Sequence, residues 1–344
     1  MKKIFFASII LGLILASCEN QENEFPDFDY STVYFAYQSP VRTIILGEDI
    51  YDNSLDNNHK CQIMATMGGV YQNKKDISLG VTVDNSLCES LKFGSSSGDQ
   101  AIAMPAEYYT LSTDMKIVIP KGKFMGGIEV KLTDTFFADP RSVKNTFVIP
   151  LRIISVQNAD SILRGKSSLP SPDRRIAGDW ATIPKDYILY AVKYINPWHG
   201  SYLRRGIDVA KGNNGNTALD NTIIYHNQYV EKDEVCKATT KSMDEITISL
   251  NAKTKDKENL PFTMVLKFDK DGKCIISNPE SVAYSISGSG NFVLKGDMWG
   301  NEKRNVLRIK YNVDFGNVTH SFTDTLVVRD RGVAMETFTP FVTK

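Results

Sequence analysis

The sequence predicts an all-β protein, and three observations support this prediction. Apolar and polar residues alternate from Leu307 to Phe315, from Ile128 to Leu132 and from Phe147 to Ile153. A period of two is typical of strands that bury one face. Asp269 to Gly272 stands between two apolar runs and has the composition of a hairpin turn. No amphipathic helical stripe longer than two turns is present in the sequence.

The first 17 residues have the pattern of a bacterial signal peptide. Lys2 and Lys3 precede an apolar run, Ile4 to Leu15, which is shorter than the ~20 residues that a membrane-spanning helix needs. The following Ala16-Ser17-Cys18 resembles the lipobox of bacterial lipoproteins. We therefore expect cleavage before Cys18 and attachment of lipid to that cysteine. The alternative is an ordinary secretory signal with a cysteine there by chance.

Residues 18–29 are predicted to form a flexible tether. Glu19 to Glu24 is polar and acidic, and such a composition cannot bury a core. An acidic stretch directly after the lipidated cysteine also resembles the surface-export signal of Bacteroidetes lipoproteins. This resemblance implies a location on the outer face of the outer membrane.

Charge and cysteine content narrow the classes of function. The chain has 40 Lys and Arg against 40 Asp and Glu, without a long basic run, which argues against nucleic-acid binding. Cys61, Cys88, Cys236 and Cys274 remain after Cys18. They allow disulfides Cys61–Cys88 and Cys236–Cys274, or four buried thiols. No CxxC spacing occurs, so we expect no zinc site and no cofactor.

The clearest break in the pattern is rich in Ser, Pro and Gly and covers residues 158–184, which we interpret as a linker. Residues 30–157 before it have enough short strands for an Ig-like β-sandwich. Residues 185–344 after it suit a closed antiparallel barrel of the lipocalin type or a second sandwich.

Both halves resemble domains of Bacteroidetes surface lipoproteins of unknown function. In the first half the resemblance depends on Leu46-Gly47-Glu48-Asp49, Gly68 to Asn73, Pro105 to Tyr109 and Phe147 to Ile153. That domain also precedes the catalytic barrel of some family 18 surface endo-β-N-acetylglucosaminidases. Tyr190 to Tyr202 resembles the start of a companion domain that is a lipocalin-like barrel. The resemblance implies a role in glycan utilisation and identifies no site residues.

No catalytic motif is present, so we assign no catalytic residues. None of the four histidines lies in HExxH, and no GxSxG nucleophile elbow occurs. A family 18 enzyme would need a DxxDxDxE strand end and a (β/α)₈ barrel, and neither is available. A glycosidase with an unrecognised carboxylate pair stays open as an alternative.

An acidic loop near the N-terminus resembles a metal site but is better explained by turns. Asp49, Asp52, Asn53, Asp56 and Asn57 could ligate calcium, yet Asx turns flanking a strand are the simpler interpretation of their spacing.

Aromatic residues give the best candidates for ligand binding, because sugar rings stack their apolar faces on Trp and Tyr. Trp299 is the leading candidate, because it lies in a Gly/Asn-rich segment that is typical of a loop. Trp198, Tyr202 and Tyr194 are the further candidates. The competing interpretation is that Trp299 folds back over the barrel end and that the other three belong to the core.

The combined prediction is a non-catalytic lipoprotein, anchored to outer-membrane lipid through Cys18. It would capture a glycan for a neighbouring outer-membrane uptake complex or enzyme. The alternatives are an adhesin or assembly component that binds a protein partner, and the glycosidase above. An exposed apolar patch would favour the adhesin.

Overall fold

The computed structural model describes residues 27–343. The predicted signal peptide and Cys18 lie outside the described residues. Within them the all-β prediction is confirmed, since 52% of the chain is strand and 10% is helical.

Twenty-three strands and two short α-helices are present in the described part. The helices are α1 (Ser54–Asn57) and α2 (Asp134–Ala138). Short 3₁₀ helices cover Asn85–Cys88, Ala106–Tyr108, Pro140–Val143, Ala177–Asp179, Asn213–Gly215, Thr217–Leu219 and Val230–Lys232. The strands are β1 (Thr32–Tyr34), β2 (Pro40–Ile45), β3 (Lys60–Gly68), β4 (Ile77–Val83), β5 (Leu91–Phe93), β6 (Ile102–Ala103), β7 (Tyr109–Leu111), β8 (Lys116–Ile119), β9 (Met125–Leu132), β10 (Phe147–Gln157), β11 (Ser161–Ile162), β12 (Tyr187–Ile195), β13 (Gly200–Gly212), β14 (Asn221–Tyr225), β15 (Glu234–Thr240), β16 (Glu245–Lys253), β17 (Asn259–Phe268), β18 (Lys273–Ser277), β19 (Ser285–Trp299), β20 (Glu302–Asp314), β21 (Val318–Asp330), β22 (Glu336–Thr337) and β23 (Pro340–Val342).

The N-terminal part is a sandwich of two sheets. One sheet has the order β11-β1-β3-β9-β7, and the other has the order β22-β2-β12-β10-β4-β8, with β6 paired to β10. Alternate apolar residues of the two sheets face each other and form the larger core of the described residues. The members of this core at zero exposure include Val33, Phe35, Ile44, Ile63, Leu79, Ile117, Val130, Ile149 and Tyr194.

The predicted start of the barrel at residue 185 is wrong, because strand β12 belongs to the sandwich. β12 pairs with β10 on one side and with β2 on the other, so it is a central strand of the sandwich. Val148, Leu189 and Ala191 face a second apolar cluster behind the sheet. Because both faces of β12 are buried, its sequence is apolar except for the partly exposed Lys193 and lacks the alternation of a one-sided strand.

The C-terminal end of the chain also returns to the sandwich. β22 pairs with β2, and β23 pairs with β5. Phe338 and Val342 cover the second apolar cluster from outside. The barrel is therefore inserted between two segments that belong to the sandwich, and the predicted barrel range 185–344 is too long at both ends.

The segment predicted as a linker is folded against the sandwich. β11 pairs in parallel with β1, and Lys166 forms a bridge with Thr182. The Trp180 side chain donates its Nε1 hydrogen to the carbonyl of Asp173 at 2.7 Å. Residues 158–184 are therefore a long packed loop and do not separate two independent units.

The C-terminal part is a closed antiparallel barrel of eight strands, β13 and β15 to β21, which confirms the barrel and excludes the second sandwich. β13 closes the barrel by pairing with β21 along almost its whole length. The predicted hairpin is present, because Phe268 pairs with Cys274 across the turn at Gly272. Inward-facing apolar residues fill the barrel and include Tyr202, Ile248, Phe262, Met264, Leu266, Leu307, Ile309, Phe322 and Leu326.

A buried polar network crosses the barrel interior. The guanidinium of Arg204 lies 3.0 Å from a carboxylate oxygen of Asp324, and both side chains are fully buried. Tyr311 donates its hydroxyl hydrogen to Asp324 at 2.8 Å. Nδ1 of the buried His320 lies 2.9 Å from the carboxylate of Asp208. Burial raises the pKa of Asp324, and the charge of Arg204 opposes that rise.

The four cysteines after residue 27 are buried free thiols, so neither disulfide that the sequence allows is formed. Burial raises the pKa of each of these thiols to about 12. No helix in the described part of the chain is long and apolar enough to cross a membrane.

Candidate ligand-binding cleft

Trp299, the leading sequence candidate, does not form an exposed platform. It is the last residue of β19, and the two-residue turn Gly300-Asn301 connects it to β20. Its side chain is only 8% exposed and packs against Leu203 and Val306. The guanidinium of Arg205 covers the ring at 4.7 Å. We therefore correct the prediction: the indole is buried and Arg205 lies over the ring, so it presents no exposed platform on which a sugar can stack.

The other aromatic candidates also serve the core. Tyr194 is fully buried in the sandwich and donates its hydroxyl hydrogen to the carbonyl of Phe137. Tyr202 is fully buried in the barrel and donates to the carbonyl of Trp198. Trp198 is half-buried and stacks on Phe268 at a centroid distance of 4.0 Å. Tyr194 and Tyr202 are therefore too deeply buried to serve as ligand platforms, and Phe268 covers one face of the half-buried Trp198.

Two residues hold the sandwich and the barrel in a fixed relation. Asn196, which is fully buried, donates its side-chain hydrogens to the carbonyls of Ser242 and Glu245 in the barrel. Arg331 follows the last barrel strand and donates to the carbonyls of Leu46, Glu48 and Asn196. All of these acceptors are backbone carbonyl oxygens. The hydrogen bonds of the junction therefore depend on the path of the backbone and not on the side chains of the accepting residues.

The loop of residues 46–57 forms the sandwich side of the junction. Gly47 has φ +85° and lies so close to Pro197 that a Cβ would come within 2.7 Å of that ring. Asn53 donates to the carbonyls of Ile45 and Gly47, and Asp52 accepts from the backbone of Ser54. The prediction of Asx turns in this loop is therefore confirmed.

Asp56 closes the base of the same loop. It forms an ion pair with Arg42 and accepts a hydrogen bond from the backbone N–H of Ile45 at 2.8 Å. Burial raises its pKa, while the hydrogen bond from Ile45 and the charge of Arg42 oppose that rise. Among the described residues no group of three or more His, Cys, Asp and Glu is placed to hold a metal ion.

Two open cavities flank this loop where the sandwich meets the barrel. One, of about 580 Å³, lies between β2 and the returning segment 330–335. The other, of about 550 Å³, lies between the loop and barrel residues 292–305 and 328–331. Both are lined by Asp49, Ile50, Asp330 and Arg331. We call these two adjoining cavities the junction cleft.

The junction cleft combines an exposed aromatic face with many polar groups. Tyr51 lines the larger cavity and is 76% exposed, and the neighbouring Ile50 is 88% exposed. Charged and amide side chains line the smaller cavity from both domains, namely Glu48, Asp49, Asn53, Asn57, Lys295, Glu302, Lys303, Arg304, Asn305, Arg329, Asp330 and Arg331. Such a surface can stack one apolar face and satisfy several hydroxyl groups at once.

His199 lies at the junction, two residues after Pro197 of the cleft, and its half-buried ring is a neutral base. Its Nδ1 accepts a hydrogen bond from the backbone N–H of Thr240 at 3.1 Å. Burial lowers its pKa to about 4, and the positive charge of Arg331 acts in the same direction. The ring therefore stays uncharged at neutral pH and contributes to the junction as a hydrogen-bond acceptor.

The sequence interpretation missed Tyr51, although a signal was present. Ile50-Tyr51 is an apolar pair inside the polar loop Gly47 to Asn57. Like Trp299, this pair places apolar surface in a segment whose composition is typical of a solvent-exposed loop. Arg331 gave no signal, because its function depends on carbonyl groups that only the fold brings together.

Family models match both parts of the chain. A model described as a domain of unknown function, DUF5627, matches residues 197–332 and so covers the whole barrel. A model described as an N-terminal domain matches residues 28–160. No curated protein is significantly similar to the chain.

Solved structures of Bacteroides proteins are also similar to the chain. A protein of unknown function from Bacteroides ovatus is 43% identical, with a TM-score of 0.85, and the match covers 92% of this chain and 100% of that one. A multidomain protein including DUF1735 from the same organism is 12% identical, with a TM-score of 0.41, over 90% of this chain and 100% of that one. A further Bacteroides ovatus protein of unknown function is 13% identical, with a TM-score of 0.40 and the same coverage.

Proposed function

This chain belongs to the same family as the Bacteroides ovatus protein of unknown function to which it is 43% identical, and we propose that it is a surface-anchored lipoprotein that binds a glycan in the junction cleft. It would supply that glycan to a neighbouring uptake complex or enzyme, without chemistry of its own. The lipid anchor would be attached to Cys18.

The exposure of Tyr51 is the observation that carries the proposal. A tyrosine with 76% of its surface exposed offers a ring face for the apolar side of a sugar. It lines the cavity that adjoins the one rich in charged and amide groups, and the two cavities share Asp49, Ile50, Asp330 and Arg331. The mixture of basic and acidic groups from two domains suits a ligand with many hydroxyls and little net charge. An open groove also accepts an internal segment of a long chain, as a polysaccharide requires.

Affinity electrophoresis tests the glycan proposal. The wild-type chain is run through gels that contain soluble α-glucan, β-glucan, xylan, mannan or an N-glycosylated protein. We expect retardation by one of these, and loss of most of it in Tyr51→Ala, because truncation of an aromatic anchor costs about 2 kcal/mol, or roughly thirtyfold in affinity.

The matched control is Tyr229→Ala, which removes a tyrosine of similar exposure on the barrel, outside the junction cleft. Retardation equal to wild type is expected for this variant. A protein that passes through every gel without retardation would contradict glycan binding. Equal retardation of wild type and Tyr51→Ala would contradict the cleft as its place.

Metabolic labelling with a radioactive fatty acid tests the lipid anchor separately. The wild-type chain is expected to incorporate label and to sediment with membranes, since each buried methylene contributes ~0.8 kcal/mol to anchoring. Cys18→Ala should do neither. Labelling that persists in Cys18→Ala would show that the anchor is elsewhere.

A further inference from the structure

Three segments meet at the end of the sandwich where the described chain begins. The backbone N–H of Tyr71 donates to Asp27 at 2.8 Å. The buried side chain of Asn73 donates to the carbonyls of Pro120 and Lys123 at 2.9 and 3.0 Å. Lys121 donates its backbone hydrogen to Asp76 at 2.7 Å. Residues 27–30, 71–76 and 120–125 therefore form one surface with a fixed backbone.

That surface exposes large apolar side chains. Phe28 is 71% exposed and Tyr30 is 60% exposed, although both lie within four residues of the start of the described chain. Phe124 and Met125 on the neighbouring turn are exposed as well. Aromatic rings in such numbers at one end of a domain are costly in water, and they indicate a surface that is covered in use.

Lysines surround these apolar side chains. Lys74, Lys75, Lys121 and Lys123 are exposed on the two turns of this surface, against the three carboxylates Asp27, Asp29 and Asp76. Aromatic rings together with lysines match a membrane interface, where rings enter the headgroup level and ammonium groups contact anionic headgroups. We call Phe28, Tyr30, Lys74, Lys75, Lys121 and Lys123 the anchor-proximal patch.

The length of the preceding chain brings this patch close to the predicted anchor. Eight residues separate Cys18 from Asp27, so the two residues can lie at most about 30 Å apart when the chain is fully extended. A lipid on Cys18 would therefore keep the patch within that distance of the bilayer, and a partial collapse of the tether would bring it into contact.

The junction cleft lies at the opposite end of the sandwich. Strand β3 begins at Lys60, next to α1 of the cleft loop, and ends at Gly68; the following Gly69 lies against the carbonyl of Tyr30. Its nine residues span about 27 Å at ~3.4 Å per residue. A molecule that rests on the anchor-proximal patch therefore directs the cleft away from the lipid.

We propose that the anchor-proximal patch docks on the surface of the lipid bilayer and orients the sandwich, with the junction cleft facing outward. This inference rests on the proposed lipid anchor, which would bring the bilayer close to the patch. The exposed aromatic and basic side chains of the patch would then make the contact. The partner is an anionic lipid surface.

Lysine labelling on vesicles tests the docking without depending on lipidation in the cell. The chain from Cys18 onward, which contains every described strand, is coupled through Cys18 to vesicles of phosphatidylcholine and phosphatidylglycerol that carry a maleimide lipid. Coupling is selective because the other four thiols are buried. An amine-reactive label and mass spectrometry then give the reaction rate of each lysine, on vesicles and in free solution.

We expect the lysines of the patch to react several-fold more slowly on vesicles, and the exposed barrel lysines Lys255 and Lys270 to react at unchanged rates. A second chain carries a long Gly/Ser insertion between Asn23 and Glu24. Protection that persists in this chain supports docking, since a long tether removes simple crowding by the attached bilayer. Phe28→Ser with Tyr30→Ser should abolish the protection.

Equal rates for patch and barrel lysines on vesicles would overturn the docking proposal. Protection that disappears with the long tether would also overturn it, because proximity alone would then explain the first result. Failure of the lipid anchor is distinguished by the fatty-acid labelling of Cys18, which does not depend on the patch.

Discussion

The barrel interior and the junction cleft use polar residues in opposite ways. Inside the barrel, Arg204 and Asp324 form a buried ion pair and Tyr311 donates a hydrogen bond to the same carboxylate, among apolar side chains that fill the remaining space. In the cleft, Asp49, Lys295 and Asn305 line cavities that open to solvent. Side chains fill the interior of this eight-stranded barrel, so the open cavities lie outside it, at the junction with the sandwich. The barrel forms one wall of the proposed binding cleft.

The largest expected effect comes from breaking the polar network of the barrel. Arg204→Met leaves the buried carboxylate of Asp324 without its cation, and removal of one partner from a buried pair costs about 3–5 kcal/mol. Urea unfolding should show this loss in the free energy of unfolding. The control Arg304→Ala removes an exposed partner of Glu302, which should cost less than about 1 kcal/mol.

The double variant Arg204→Met with Asp324→Leu sharpens this test. It removes both charges, so part of the lost stability should return. A double variant that is less stable than Arg204→Met alone would contradict this expectation. It would show that Asp324 stabilises the barrel even without Arg204.

A comparison of Trp299→Ala with Tyr51→Ala distinguishes a residue that stabilises the fold from one that is proposed to bind ligand. Trp299→Ala should lower the free energy of unfolding by about 3 kcal/mol, because it leaves a cavity among Leu203, Val306 and Val327. Tyr51→Ala should change stability by less than about 0.5 kcal/mol, since the ring is exposed. Thermal unfolding of both variants checks the contrast, and equal losses in the two would contradict the burial of Trp299.

A smaller effect is expected from the pH dependence of the junction. The pKa of His199 is lowered to about 4 in the folded protein. Between pH 6.5 and 4 the imidazole therefore stays neutral in the folded state, whereas in the unfolded state it binds a proton below its ordinary pKa of 6.5. Stability should therefore fall as the pH decreases from about 6.5 to about 4, and the histidine should add no further change below that. The partial exposure of the ring limits the loss to on the order of 2 kcal/mol.

His199→Asn is the matched variant for this dependence. Its amide oxygen can accept the hydrogen bond from Thr240 without titrating. The slope of stability between pH 6.5 and 4 should become smaller in this variant, as measured by urea unfolding across that range. An unchanged slope would assign the dependence to other groups.

The sequence was sufficient for the fold class and for the individual one-sided strands. Alternation from Leu307 to Phe315 predicted β20, and Asp269 to Gly272 predicted the β17–β18 turn. It was insufficient for β12, because a strand that is buried on both faces has no alternation to read. The insertion of the barrel into the sandwich could not be predicted either, since β22 and β23 are too short to give a pattern of their own.

The candidate site was harder to predict, because exposure is a property of the fold. Trp299 and Tyr51 both stand in polar, turn-rich segments of the sequence. After β19 reaches the Gly300-Asn301 turn, Trp299 packs against Leu203, Val306 and Val327, whereas the loop after Gly47 holds Tyr51 out in solvent. Local sequence did not distinguish these two outcomes, and the junction that places two domains around Tyr51 depends on backbone carbonyls throughout.

Hydrogen–deuterium exchange with bound ligand tests most directly whether binding occurs in the junction cleft. The wild-type chain is compared with and without a saturating concentration of the polysaccharide that retards it in the gel. We predict slower exchange in residues 47–57, 292–305 and 328–335, with no change in strands β16 to β18 of the barrel wall. Slower exchange in strands β16 to β18, with no change in the three cleft segments, would contradict this account.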